Sequence, residues 1–241
     1  MILSNSPEVD PDLFCYETKL SIPPCEKFLY GLLDRINKEG DGFLIRRKKY
    51  LDPRIDPKGV FDLLTLTEKK LMLKRKAQVE KHFPGNTPID FRQYFMSPEM
   101  DAEFKALIPQ WIKDLGEFSV GIQISREGNL NPTHKGHQRQ SSLFFLLQSD
   151  DEETRWYKQT EDFHVIDFFR IPDYDKVENI VCAKIMPGKW TVFNHKAWHS
   201  VHKHNVGTMD RVNINIDFDG VTMEELVQKV KEQEAKVTSQ Q

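Results

Sequence analysis

The clearest pattern in the chain lies near its end. From Arg211 to Phe218, Val212, Ile214, Ile216 and Phe218 alternate without a break against Arg211, Asn213, Asn215 and Asp217, the period-two signature of a strand with one apolar and one polar face. A solvent-washed edge hairpin gives the same pattern. Two successive asparagines are poor in strands generally, which makes a strand lining a polar cavity an equal candidate. Upstream, Phe118 to Ser125 alternates apolar with small or polar residues, and Ser141 to Gln148 is almost continuously apolar. Thr154 to Lys158, Phe163 to Phe169, Asn179 to Met186, Trp190 to Asn194 and His199 to His202 also read as strands. About eight strands in about 100 residues is the density of a sandwich or jelly roll. With no helix-length segment between them, βαβ units are excluded.

Before Phe118 the period is helical. Phe28, Leu29, Leu32, Leu33 and Ile36 follow Pro23-Pro24 and stop at Gly40. Leu66 to Phe83 reads as a second helix ending before Pro84-Gly85. Ser97 caps a third whose first position is Pro98, with Met100, Phe104, Leu107, Ile108, Trp111 and Leu115 on one side until Gly116. Residues 1–21 read as an extended arm or a short strand. Thr222 and Glu225 form a capping box that opens a charged C-terminal helix. The expected fold class is therefore α+β in a single domain, 1–241. Its core is a double-stranded β-helix (jelly-roll, cupin-like) over 117–220, with a helical N-terminal layer, 1–116, and a C-terminal helix and tail, 221–241. The helices are expected on the greasy outer face of the β core, leaving a polar interior.

Composition narrows the function without naming it. With 39% hydrophobic and 29% charged residues the chain is an ordinary globular protein. A net charge of −3 gives no global pull toward nucleic acid, and the basic runs at Arg46–Lys49 and Lys69–Lys76 read as solvated faces. Cys15, Cys25 and Cys182 are odd in number and irregularly spaced, as free thiols in a reducing compartment are. No leader-like or membrane-length apolar stretch is present, so a cytoplasmic protein with no membrane partner is expected. The sequence carries no signal for oligomeric state.

Candidate chemistry gathers in two places. His199 follows a strand opened by Pro187-Gly188, and Arg211 comes twelve residues later. His134 lies in the segment Asn131 to Arg139, read as a loop, 65 residues before His199. A jelly roll brings such distant positions to one mouth. Two imidazoles there suit a divalent transition metal, most familiarly in the facial triad of nonhaem iron, and an arginine beside them suits a carboxylate. His195, His202 and His204 crowd around His199. One ligand is expected from that cluster, with His199 preferred and His202 its rival. Trp156, Trp190 and Trp198 read as core or cavity wall, and Asp150 to Glu153 as a hydrated turn.

Those residues carry a resemblance. His134, Arg139 and the strand SSLFFLLQ, then TRWY, MPGKWTVFN before WHSV, and an arginine heading the last strand resemble the iron(II)/2-oxoglutarate-dependent oxygenase superfamily, in its aspartyl/asparaginyl β-hydroxylase-like or prolyl-hydroxylase-like branch. The resemblance spans roughly residues 118–219. It implies that His134 and His199 hold Fe(II) and that Arg211 pairs with the distal carboxylate of 2-oxoglutarate. Asn213 and Tyr157 become cosubstrate contacts, and Arg139, Trp198 and Asn215 substrate contacts. The implied activity is hydroxylation of an amino-acid side chain, in a peptide or a small molecule, coupled to decarboxylation of 2-oxoglutarate to succinate. The usual His-x-Asp/Glu is His134-Lys135-Gly136 here, so the carboxylate ligand is missing from its place. Iron on two histidines and water, a halide in the vacancy as in His-x-Gly halogenases, and a site without redox chemistry are the three alternatives. His137 is a possible replacement ligand. A cupin-type isomerase or non-redox metal- and ligand-binding protein is the competing class, although the His-x-His of that class is absent.

Overall fold

The computed structural model describes residues 1–46, 64–82, 87–88, 91–125, 129–136, 139–149, 152–165, 171–203 and 209–239. Its β elements are β1 (Ile2–Ser4), β2 (Cys15–Glu17), β3 (Ile45–Arg46), β4 (Thr87–Pro88), β5 (Phe91–Phe95), β6 (Phe118–Ser125), β7 (Asn129–His134), β8 (Ser141–Gln148), β9 (Glu152–Gln159), β10 (Val177–Ala183), β11 (Trp190–Asn194), β12 (Trp198–Lys203) and β13 (Arg211–Phe218). The helices are α1 (Pro23–Glu39), α2 (Leu66–His82), α3 (Pro98–Leu107), α4 (Gln110–Lys113) and α5 (Met223–Thr238).

The strands form two sheets. A seven-stranded sheet has the order β2-β11-β8-β13-β6-β5-β3 and a six-stranded sheet the order β1-β10-β9-β12-β7-β4. Among the described residues pairing is antiparallel except for the short parallel contact of β4 with β7. The strands from β6 to β9 alternate between the sheets, and β11 to β13 do so again after β9 and β10 pair within one. Chain segments far apart in sequence therefore face one another across a sandwich.

The alternation in β13 sets the layers. Val212, Ile214, Ile216 and Phe218 are fully buried in one cluster with Val120, Ile122 and Ile124 of β6 and Leu143, Phe145 and Leu147 of β8. Leu29 and Leu32 of α1, Phe104 of α3, Ile112 of α4 and Leu226 and Val230 of α5 close that cluster from outside. Each such side chain contributes about 1.5–3 kcal/mol on leaving water, so this face is the larger part of the core. The opposite faces of β8, β9, β10 and β11 supply a second cluster between the sheets, with Phe144, Leu146, Trp156, Val181 and Phe193. Polar side chains of β13 share that interior.

Several expectations are met in place. β6, β8, β11 and β13 have the anticipated limits, and the Thr222–Glu225 capping box is formed. Others are corrected. His134 ends a strand instead of sitting in a loop. The third helix breaks at Ile108-Pro109 into α3 and α4, because proline supplies no N–H and pushes the residue before it out of the α region. The strand expected over 163–169 is absent from its described part, 163–165, and its remainder lies outside the described residues. The N-terminal region is also not purely helical, since β1 and β2 extend the two sheets at one edge and β5 joins β6 at another.

α2 packs on the turn at Tyr174–Lys176 by a different means. It carries only Met72 and Val79 as buried apolar residues, beside buried Arg75 and Gln78. Arg75 forms an ion pair with the buried Asp173, which also accepts from Gln78 Nε2 at 2.7 Å and from Lys74 Nζ at 3.2 Å. Burial works against the Asp173 charge, but the hydrogen bonds from Gln78, Arg75 and Lys74 outweigh it and hold the carboxyl below the usual range. Asp173→Ala leaves Arg75 buried without its counter-charge and is expected to cost about 3–5 kcal/mol, whereas Lys74→Ala, at a half-exposed partner, is expected to cost under about 1 kcal/mol. Urea midpoints of the two variants check this order.

Candidate functional site

Antiparallel pairing of β7 with β12 sets His134 directly opposite His199. Their ring centroids lie 4.3 Å apart, so the two imidazoles separated by 65 residues in the chain do meet. His199 is buried and its Nδ1 lies 2.9 Å from the Ala197 carbonyl oxygen. Donation of Nδ1–H there fixes the tautomer and leaves the Nε2 lone pair available to a ligand. Phe193 stands edge-on to His199 at 5.0 Å.

His195, one of the histidines crowding His199 in sequence, belongs to the same group. It is 4% exposed, its ring centroid is 5.6 Å from that of His199, and its Nε2 is 2.9 Å from Ser142 Oγ and 3.7 Å from Asp217 Oδ1. Its Nδ1 is buried with no hydrogen-bond partner among the described residues. Asp217 in turn accepts from Arg139 Nη1 at 3.0 and 3.2 Å. Arg139 is thus committed to Asp217 beside the histidines.

Gly136 is held tightly against this group. Its N–H donates to the His195 carbonyl at 2.7 Å. A Cβ added there would stand 2.9 Å from the His195 Cβ and 3.1 Å from the His195 carbonyl oxygen. An aspartate at this position would require the His195 turn to move, so packing excludes the missing carboxylate. Among the described residues no group of three His, Cys, Asp or Glu side chains is arranged to hold a metal ion. What the fold offers is a pair of imidazoles with a third beside them.

The other end of the interior is built around Arg211. The polar face of β13 turns inward, and Arg211, Asn213 and Asn215 are all buried. Arg211 Nη1 donates to Asn213 Oδ1 at 2.6 Å, and Asn213 Nδ2 donates to Asn215 Oδ1 at 3.1 Å and Gln123 Oε1 at 3.2 Å. The guanidinium lies 5.2 Å from the Phe144 ring centroid. Its Nε donates to Glu152 Oε1 at 2.6 Å, a buried ion pair crossing from one sheet to the other. The sequence suggested a hydrated turn for Glu152; it begins β9, and Glu152, Thr154 and Trp156 form the buried alternate set of that strand. On β9, Trp156 pairs with His199 while Glu152 reaches Arg211. The two ends are therefore four strand residues apart, about 13 Å at 3.3 Å per residue, less the inward reach of the side chains.

Three expected site residues lie elsewhere. Tyr157, Trp198 and His202 are on the outer face of the six-stranded sheet. The Tyr157 hydroxyl is 3.0 Å from Ser200 Oγ and 3.2 Å from His202 Nε2, and Ser200 Oγ is 2.7 Å from His202 Nε2. Trp198 packs against Phe163 at 5.6 Å beneath Lys135 Nζ at 4.7 Å. The cause is strand parity, because 198, 200 and 202 point opposite to 199 and 201. None of the three reaches the His134–His199 pair from that face. His137 lies outside the described residues.

A surface groove of about 350 Å³ lined by Asp114, Val221, Glu225 and Lys229, among others, lies outside the sandwich and shares no residue with the histidines or Arg211. Cys15 and Cys25 are buried free thiols and Cys182 is a partly buried one. No helix among the described residues is long and apolar enough to cross a membrane.

No protein-family model matches the chain, and no curated protein does. Among solved structures it is similar to L-ribose isomerase of Cellulomonas parahominis, determined with L-psicose, at 15% identity over 42% of this chain and 50% of that one, with a TM-score of 0.27. It is also similar to E. coli ycfD at 12% identity over 88% of this chain and 56% of that one, with a TM-score of 0.34. The chain spans about half the length of these proteins.

Burial disfavours the imidazolium of both inner histidines. His195 is held well below its ordinary value by burial, then by Arg139 and the neighbouring histidines. His199 is driven from 6.5 to about 4 by burial, with the Ala197 carbonyl opposing and Arg139 assisting. Since the folded value lies below the unfolded one, the unfolded chain takes up the proton first as pH falls. The neutral His199 therefore contributes stability that is complete above about pH 6.5 and is lost down to about pH 4, roughly 3 kcal/mol in all. Urea unfolding of metal-free protein at about pH 7 and about pH 4.5 is expected to show that loss, with a shallower pH slope for His199→Asn.

Proposed function

We propose that this chain is an Fe(II)- and 2-oxoglutarate-dependent oxygenase with a double-stranded β-helix core and a two-histidine iron site. The observation that carries the proposal is the cross-strand pair His134 and His199, rings 4.3 Å apart. The pair lies in a sandwich interior that also holds a buried arginine on the facing sheet. A neutral imidazole with one nitrogen committed to a backbone carbonyl, as His199 has, suits a borderline divalent metal. His134 and His199 would hold the iron. Bound there with 2-oxoglutarate, the metal would supply oxidative decarboxylation of the cosubstrate coupled to attack on a substrate C–H bond.

The chain's own residues have separate tasks. Arg211 orients the distal carboxylate of the cosubstrate, fixed for that purpose by Asn213 and the Phe144 ring. Phe144, Trp156 and Phe193 form an apolar wall that limits water. The amides of Gln123 and Asn215 provide polar contacts along the path between the two ends. Arg139, bound to Asp217, contributes positive charge beside the histidines and helps keep them neutral. The substrate is a small molecule or peptide side chain.

A second reading is favoured by one contact. Glu152 already sits on Arg211, as befits a non-redox protein that binds a metal or another ligand without 2-oxoglutarate. Anaerobic addition of Fe(II) and 2-oxoglutarate separates the two. The oxygenase is expected to develop the weak visible charge-transfer band of a keto-acid chelate, to lose it in His199→Ala, and to release succinate when oxygen is admitted. Metal binding with neither band nor succinate would leave the second reading.

A further inference from the structure

The contact that favours the second reading also has a consequence for the first. We infer that Glu152 is a specificity-determining residue of the Arg211 site, an internal carboxylate that an incoming carboxylate must displace. The inference rests on the reading of Arg211 as a carboxylate clamp.

Glu152 resembles a bound ligand more than a structural strut. Its side chain is 6% exposed, and Oε1 takes the Arg211 Nε hydrogen bond at 2.6 Å and a second bond from Ser149 Oγ. Oε2 is buried with no hydrogen-bond partner among the described residues. A buried carboxylate with one oxygen unsatisfied is costly, so this arrangement is one that a better-satisfied carboxylate can replace. Arg211 does not need Glu152 for its orientation, because Asn213 holds Nη1 and Phe144 lies beside the guanidinium. The ion pair is neutral as a whole. A ligand carboxylate arriving beside an undisplaced Glu152 would place two anions on one cation in a poorly solvated interior, which opposes binding.

Selectivity follows from this competition. A simple carboxylate must displace Glu152 with the affinity of one contact. A ligand anchored at the histidine end competes with a raised effective concentration. The site thus discriminates against acids that lack a second anchoring group, and Glu152 sets the threshold.

Glu152→Gln tests the inference because it keeps the side-chain length and an oxygen acceptor for Arg211 Nε while removing the charge. Titration calorimetry of the full chain with 2-oxoglutarate and with succinate, in the presence and absence of Mn(II), reads the effect. Glu152→Gln is expected to bind both acids roughly tenfold or more tightly than the parent, with the larger gain for succinate, and addition of Arg211→Met is expected to abolish the gain. Equal or weaker binding by Glu152→Gln, with the parent binding well, overturns the inference and leaves Arg211 as the clamp. Absence of binding by every form overturns the clamp and the inference together. Should Glu152→Gln fail to fold, Glu152→Asp, which withdraws the carboxylate by one methylene, is expected to tighten binding in the same order; weaker binding would overturn the inference.

Discussion

The structure depends on the strict two-facedness of the strand Arg211–Phe218. Its odd positions point between the sheets and its even positions point at the helices, and pairing on both sides with β6 and β8 locks that orientation. A slip of one residue would carry four apolar side chains into the interior and an arginine into the helical layer. The apolar set is fully buried, so the helices α1, α3, α4 and α5 have one continuous surface on which to pack. The polar set is left to be satisfied inside. It is satisfied by side chains: Glu152 from the opposite sheet, the Asn213–Asn215–Gln123 amides, and Arg139 on Asp217.

Charge in that interior is balanced locally. Arg211 has Glu152 and Arg139 has Asp217, while His195 and His199 are held neutral by burial. A histidine that is neutral, oriented by a carbonyl and set 4.3 Å from a second, tilted imidazole can take a Lewis acid at low reorganisation cost. Gly136 fits this picture. The close approach of its backbone to His195 is possible only without a side chain, so the residue at the usual carboxylate position serves packing of the very turn that carries His195.

Much of this was legible in the sequence, and the failures have physical causes. Both strands and the polar interior are legible in the alternation of 118–125 and 211–218, because apolar packing on one face and polar side chains on the other leave a clean period of two. The family resemblance pairs His134 with His199, and they meet. Trp198 and His202 lie on the other face because each is an odd number of residues from His199, and Tyr157 lies there because it adjoins Trp156, the inward partner of His199. Glu152 was obscured by the acidic run Asp150 to Glu153, which reads as a turn; the buried alternation Glu152, Thr154, Trp156 emerges once the strand is started two residues earlier. β7 was hidden by Pro132, a residue tolerated near sheet edges. No local signal marks the Glu152–Arg211 pair, since its partners are joined only by the facing of the two sheets.

The proposed metal end of this interior is the pair His134 and His199. An anomalous difference map from crystals soaked anaerobically with Mn(II), a redox-inert stand-in for Fe(II), tests it most directly. One strong peak is expected within ligating distance of the imidazole nitrogens of both His134 and His199. A peak instead at His202 on the outer face, or no peak at the pair in crystals grown near neutral pH, would contradict it.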